Sequence, residues 1–195
     1  MNNAVVVRAP ARRMFLQQAS GVALSATAIA LLAGCESMAQ SSTKSENQDV
    51  AILNVALGLE HEAIGAYQLG AESGLLQKPV LDTAVLFQGH HKAHRDALAA
   101  TIQKLGGKPV ETRPLGEYAK ALKADTLKSQ ADVLALAARL ELGATNAYLG
   151  VIPAFKDSAL AKVAGRLAAD ETMHWTVLTG ALARALPASA LSFGA

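Results

Sequence analysis

The sequence predicts an all-α protein. Its folded part should be an antiparallel four-helix bundle of two similar hairpins joined by a long crossover. Three observations predict this. The 195 residues are 51% hydrophobic but only 4% aromatic, and alanine and leucine, which lose little rotamer freedom in a helix, dominate the apolar share. Glycine and proline cluster so that four long segments run between them with no proline. The second hairpin repeats the first at a nearly constant offset.

Each segment carries its own punctuation. The first helix runs from about Asp49 to Ala71 and is closed off by Gly74 and Pro79. The second runs from about Val80 to Leu105, with Pro79 suited to its start and Gly106-Gly107 followed by Pro109 suited to its end. The third runs from about Lys128 to Ile152 and stops at Pro153. The fourth runs from about Ser158 to Leu186, with Asp157 or Ser158 as N-cap and Pro187 beyond its end. The first and third links are short, which makes two hairpins. The middle link, Gly106 to Leu127, is about 20 residues, long for a structureless loop in a compact domain, so a short helix is expected near Tyr118. The bundle is therefore assigned to residues 49–186, and 187–195 form a C-terminal tail.

The repeat concerns polar residues. Leu59-Glu60-x-x-Ala63-x-x-Ala66-Tyr67 in the first helix returns as Leu140-Glu141-x-x-Ala144-x-x-Ala147-Tyr148 in the third, 81 residues on. His91-x-x-His94-x-x-x-Leu98 in the second returns as Glu171-x-x-His174-x-x-x-Leu178 in the fourth, 80 residues on. The tyrosine matches carry weight because the chain has only three tyrosines. The third, Tyr118, also lies seven after a glutamate, Glu111, but Pro114 and Gly116 break that stretch.

Residues at i, i+3 and i+7 share a helix face. Glu60 with Tyr67, and Glu141 with Tyr148, therefore point the same way among apolar neighbours. A carboxylate facing a bundle core is costly unless a metal ion or a histidine neutralises it. Glu171 and His174, at i and i+3, suit one metal together. Plain alternatives stand beside this reading. The glutamates could be partly exposed, His90, His91 and His94 could form a solvated face with Lys92 and Arg95, and the tyrosines could be ordinary core residues. Trp175 is read as packing, and His61 and Glu62 are rotated away from Glu60.

One Glu from each of two helices, with Glu-x-x-His from the other two, resembles the ferritin-like di-iron carboxylate proteins, whose bundle has one long crossover. The Glu-x-x-Ala-x-x-x-Tyr pattern is similar to bacterioferritin and rubrerythrin helices. The resemblance covers roughly residues 49–186. It implies metal ligation by Glu60, His94, Glu141, Glu171 and His174, with Glu60 and Glu171 as terminal or bridging carboxylates. Tyr67 and Tyr148 would orient the ligands. The sequence departs from the family at position 91, where histidine stands for glutamate, giving three carboxylates and three imidazoles with His91 counted in. Iron(III) prefers hard oxygen donors, while imidazole suits Zn, Cu, Ni and Fe(II). A divalent metal is expected, iron foremost, with zinc, manganese, copper or nickel as alternatives. His90 and His94, at i and i+4, offer another chelating pair.

The first 35 residues read as an address. Arg12-Arg13-Met14-Phe15-Leu16 resembles the twin-arginine export signal. An apolar run from Gly21 to Gly34, about 14 residues and short for a membrane span of roughly 20, ends in Leu32-Ala33-Gly34-Cys35, which resembles a bacterial lipobox. The resemblance implies passage through the twin-arginine machinery, lipidation of Cys35 and a membrane anchor on the periplasmic side of the envelope; an ordinary cleaved signal peptide or an uncleaved anchor is the plain alternative. Cys35 is the only cysteine, which excludes an internal disulfide. Residues 36–48, rich in Ser, Gln and Asn, read as a flexible tether. Arg8, Arg12 and Arg13 are the only charges before Cys35, so their removal takes the formal charge from +2 to −1. No basic patch remains for nucleic acid.

Three functions follow as expectations: a metal-dependent redox or iron-handling protein of the cell envelope, a non-catalytic metal-binding module, and a metal-free helical interaction domain. A homodimer is compatible with each. No Gly-x-Ser-x-Gly, nucleophilic cysteine or phosphate loop supports a general hydrolase. No Cys-x-x-Cys pair supports an internal rubredoxin-like unit.

Overall fold

The structure is a computed structural model that describes residues 42–194, with side chains from residue 48 onward. Arg12, Arg13 and Cys35 lie outside the described residues, so the export and anchor expectations do too. No described helix is long and apolar enough to cross a membrane.

All regular structure among the described residues is helical. Helix α1 spans Ser42–Glu72, α2 Lys78–Lys104, the crossover helix α3 Leu115–Ala121, α4 Gln130–Val151 and α5 Ser158–Ala181. Single 3-10 turns occupy Ala124–Thr126 and Ile152–Ala154. Helices α1 and α2 form one hairpin and α4 and α5 the other, and α1 packs against α4 and against α3.

The termini follow local chemistry. Pro79 sits in the first turn of α2, where its missing N–H costs nothing. At the other end Gly106 adopts φ +76°, its N–H reaches Gln103 O at 2.9 Å, and Gly107 N–H reaches Ile102 O at 2.9 Å. This glycine turn satisfies the last carbonyls. Ser129 caps α4 by accepting from Asp132 N at 3.2 Å. Asp157 caps α5 by accepting from Ala159 N at 2.7 Å.

Two boundaries differ from expectation. Helix α1 begins at Ser42, inside the segment read as a tether, because no glycine or proline lies between Ser42 and Gly58 to stop it. Helix α5 ends at Ala181, before the expected Leu186. Ala183 turns to φ +52°, with its N–H on Gly180 O at 2.9 Å, and the tail folds back. Phe193 then packs edge-on to Trp175 at 5.2 Å, and Gly194 N–H bonds Asn146 Oδ1 at 2.8 Å.

The crossover is tied to α1. Asn54 Nδ2 donates to Lys108 O at 3.1 Å, and Val110 N–H donates to Asn54 Oδ1 at 2.8 Å. The Tyr118 side chain packs against α1 at Gly65, where a Cβ would sit 2.9 Å from Tyr118 Cδ2.

Among the described residues the core has three apolar clusters: one joins the crossover to the bundle through Ala66, Tyr118, Leu122 and Leu136, and the other two form layers. One contains Leu57, Leu98, Ile102, Tyr148 and Leu167. The other contains Tyr67, Phe87, Leu134, Ala138 and Leu178, beside an apolar cavity of about 70 Å³. On every long helix the two layers are separated by a stretch bearing buried polar residues. Excluding water there is the fold's contribution to the site.

Gly65→Ala should destabilise the protein. The overpacking cost, about 1–3 kcal/mol, outweighs the roughly 1 kcal/mol that alanine gains in a helix. Gly58→Ala should have the opposite sign, because nothing lies within 4 Å of its Cβ position. Thermal unfolding of the two variants checks this: a Gly65→Ala midpoint at or above wild type would contradict the packing described.

Candidate metal centre

Six side chains singled out in the sequence meet in one buried layer. Glu60 comes from α1, His91 and His94 from α2, Glu141 from α4, and Glu171 and His174 from α5; each is no more than 8% exposed. The helical repeat explains why. Leu53, Ala56, Leu57, Glu60, Ala63 and Tyr67 form one inward stripe of α1, so Glu60 takes a place that an apolar residue would otherwise fill.

Reciprocal contacts across the bundle hold the layer. The Tyr67 hydroxyl donates to Glu141, and the Tyr148 hydroxyl donates to Glu60. Each tyrosine thus serves the glutamate of the other hairpin. Burial, reinforced by the neighbouring carboxylates, pushes both phenols well above their usual range, so they stay protonated donors.

The histidines fill the space between the carboxylates. His91 Nδ1 lies 2.8 Å from Glu60 Oε2, and its Nε2 lies 3.2 Å from Glu141 Oε1 and 3.8 Å from Glu171 Oε2. His94 Nδ1 lies 3.2 Å from Glu171 Oε1 and 3.6 Å from Glu60 Oε2. His174 Nδ1 lies 3.4 Å from both Glu141 Oε2 and Glu171 Oε2, and its ring stacks on Phe87 at 4.1 Å.

These contacts set the protonation states. Burial alone would lower the histidine pKa values, but hydrogen bonds and charge from the glutamates overcome it. His91 rises well above its usual range, His94 rises to about 10, and His174 also rises. Burial alone would raise Glu60 and Glu141, yet their histidine partners bring both below the ordinary value. Burial prevails at Glu171, which is raised. Without an added cation, three imidazoles face three carboxylates and the layer compensates its own charge.

Three polar atoms of the layer nevertheless lack a hydrogen bond. Among the described residues, His94 Nδ1, Glu171 Oε1 and Glu171 Oε2 are buried with no hydrogen-bond partner. His94 Nδ1 and Glu171 Oε1 are 3.2 Å apart but not aligned for a hydrogen bond. Buried polar atoms in this state are rare and costly. Their arrangement suits a cation between them. Glu60, His91, His94 and Glu171 form one group whose ligand atoms all lie within 4.8 Å of one another; His91, Glu141, Glu171 and His174 form a second. Nitrogen and oxygen donors in such sets suit a divalent transition ion.

Two outer partners were not assigned from sequence. Asp170 Oδ2 lies 3.2 Å from His94 Nε2, and His90 Nδ1 lies 2.9 Å from His174 Nε2. His90 belongs to neither ligand group and faces His174. The signal was present: His90 and Asp170 are also 80 residues apart and immediately precede His91 and Glu171. His61 bonds Val110 O at 3.2 Å and faces the crossover. Glu62 is also outside both groups.

The shifts give the metal-free protein a definite pH profile. His94 contributes stability that is fully present below its unfolded pKa near 6.5 and lost as pH rises through about 10. Glu60 and Glu141 contribute stability that is present above 4.5 and lost as pH falls through their lowered folded values. The chelator-treated protein should therefore melt highest between about pH 4.5 and 6.5, and progressively lower toward pH 10. Melting midpoints in a buffer series check this, and a midpoint rising above pH 6.5 would contradict it.

Comparison with known proteins agrees with the architecture. A crystal structure of a conserved hypothetical protein from Mycobacterium tuberculosis superposes with a TM-score of 0.60 at 21% identity, covering 77% of this chain and 98% of that one. At that identity the likeness shows the fold alone. No curated protein matches the chain. The family described as the ferritin-like domain matches residues 48–184, and the chain belongs to that family.

Proposed function

We propose that this chain is an exported metal-binding protein that holds one or two iron-type ions in its bundle core, for redox chemistry or metal handling in the cell envelope. The observation that carries the reading is the set of unpartnered atoms at the centre, His94 Nδ1 and both oxygens of Glu171. A buried carboxylate with neither oxygen hydrogen-bonded is a ligand waiting for a cation more readily than a structural group.

Bound iron would supply one-electron chemistry toward dioxygen or peroxide. The chain's own part is separate. Glu60, His94, Glu141, Glu171 and His174 would bind, with His91 between them. Tyr67 and Tyr148 hold Glu141 and Glu60 in orientation through their hydroxyls. Asp170 and His90 do the same for His94 and His174. The apolar layers on either side exclude water.

A second reading, a zinc, copper or nickel module without catalysis, is favoured by the imidazole at position 91, since three imidazoles make the donor set softer than a carboxylate-rich one. The residues before Cys35 support an envelope location in either case, through Arg12-Arg13 and the Leu-Ala-Gly-Cys stretch.

Anaerobic loading of the purified protein followed by elemental analysis separates the readings. Retained iron with dioxygen consumption supports the first, and retained zinc or copper with none supports the second. Glu171→Gln should weaken metal retention by more than the roughly 10–100-fold that loss of an outer partner costs. No retained metal in wild type would leave a metal-free helical domain and sink both readings. For location, Cys35→Ser should move the protein from the membrane fraction to the soluble fraction of the producing cell; an unchanged membrane fraction would refute the lipid anchor.

A further inference from the structure

The two ligand groups share two residues, and these are not equivalent in what they can share. Glu171 can serve both groups at once. Its Oε1 lies 3.2 Å from His94 Nδ1, and its Oε2 lies 3.4 Å from His174 Nδ1. Each oxygen has its own lone pairs. His91 cannot do the same. A neutral imidazole has one lone-pair nitrogen and one N–H. Its Nδ1 is directed to Glu60 and its Nε2 to Glu141, at 2.8 and 3.2 Å. Whichever nitrogen keeps the proton donates to the carboxylate on its side and is unavailable to a cation there.

The surroundings decide which side is open. In the group of Glu60, His91, His94 and Glu171, two ligand atoms have no hydrogen-bond partner, His94 Nδ1 and Glu171 Oε1. The His94 tautomer is also constrained. Its Nε2 faces Asp170 Oδ2 at 3.2 Å, a carboxylate oxygen that accepts, so a neutral His94 carries its proton there and turns its Nδ1 lone pair inward. The group of His91, Glu141, Glu171 and His174 has one such atom, Glu171 Oε2, because its free imidazole edge, His174 Nδ1, is already engaged by Glu141. Glu60 and Glu141 are alike in each accepting from a tyrosine and facing His91, so the difference lies in the imidazoles: His174 Nδ1 has Glu141 Oε2 at 3.4 Å, whereas His94 Nδ1 has no hydrogen bond. His174 Nε2 faces another imidazole nitrogen, His90 Nδ1, which can donate or accept and imposes no tautomer.

We propose that His91 makes the two metal positions unequal: one divalent ion binds tightly among Glu60, His91, His94 and Glu171, and the position at Glu141 and His174 is left weak. His91 then ligates through Nδ1 and donates Nε2–H to Glu141, locking that carboxylate to the protein. The inference rests on the metal-binding reading above and deepens it by assigning a stoichiometry to the site.

The test uses Zn²⁺, whose binding needs no redox chemistry. The full chain is stripped with chelator, titrated with Zn²⁺ by calorimetry, desalted and analysed for metal. Wild type should retain one ion per chain, with any second ion bound at least 100-fold more weakly. His91→Glu, which supplies two oxygens where the ring offered one lone pair, should retain two ions with affinities within tenfold of each other. His94→Ala should lose the tight ion, whereas His174→Ala should keep it. This pair decides the matter even if the glutamate variant does not fold, with helix content by circular dichroism as the folding check. Two ions of comparable affinity in wild type, or equal losses in His94→Ala and His174→Ala, would overturn the inference while leaving metal binding standing. No Zn²⁺ binding by wild type or by a folded His91→Glu would overturn the inference and count against metal binding itself.

Discussion

Three carboxylates buried among apolar side chains set the terms for the rest of this structure. Transfer of even one such group out of water is costly unless it is paired and hydrogen-bonded. The bundle meets this with a closed polar layer in which every carboxylate faces imidazoles and two also accept from tyrosines. The pairing crosses from one hairpin to the other, Tyr67 to Glu141 and Tyr148 to Glu60. The same contacts that satisfy the charges therefore join the hairpins. Glu60 and Glu141 are each held by a tyrosine on another helix, and a binding site for a small cation requires carboxylates fixed in this way.

The layer is also where the fold departs from internal consistency. All three carboxylates face imidazoles, but Glu171 and the Nδ1 edge of His94 make no hydrogen bond. Apolar layers of ordinary composition lie above and below. A stable bundle would be simpler with leucine at these positions, which makes the buried polar layer the candidate functional site.

The two halves of the chain share an architecture without sharing its chemistry. Position 91 corresponds to Glu171 in the repeat, and each stands at the middle of the layer. A carboxylate there offers two oxygens to two neighbours, and an imidazole offers one lone pair and one proton. Positions 90 and 170 differ in the same sense, an imidazole on His174 against a carboxylate on His94. Both substitutions fall on α2 and lower the negative charge of that side of the centre.

Much of this was legible in the residues alone. Four helices, their short and long links, and the cap at Asp157 follow from helix periodicity and from where glycine and proline interrupt it. Glu60, Glu141, Glu171 and the histidines stand out because charged residues recur on apolar stripes at a constant offset. The start of α1 and the end of α5 were less legible. Nothing local marks Ser42 as a first residue, and the turn at Ala183 is taken by a residue with no preference for positive φ, held by the return of the tail onto Trp175 and Asn146. What only the tertiary structure decided is pairing. Sequence spacing gives the direction of a side chain about its own helix axis, but not which atom of a neighbouring helix it meets. That tyrosines serve the opposite hairpin, that Asp170 turns His94 and that His91 stands between two glutamates all depend on distances between helices, which are set by packing.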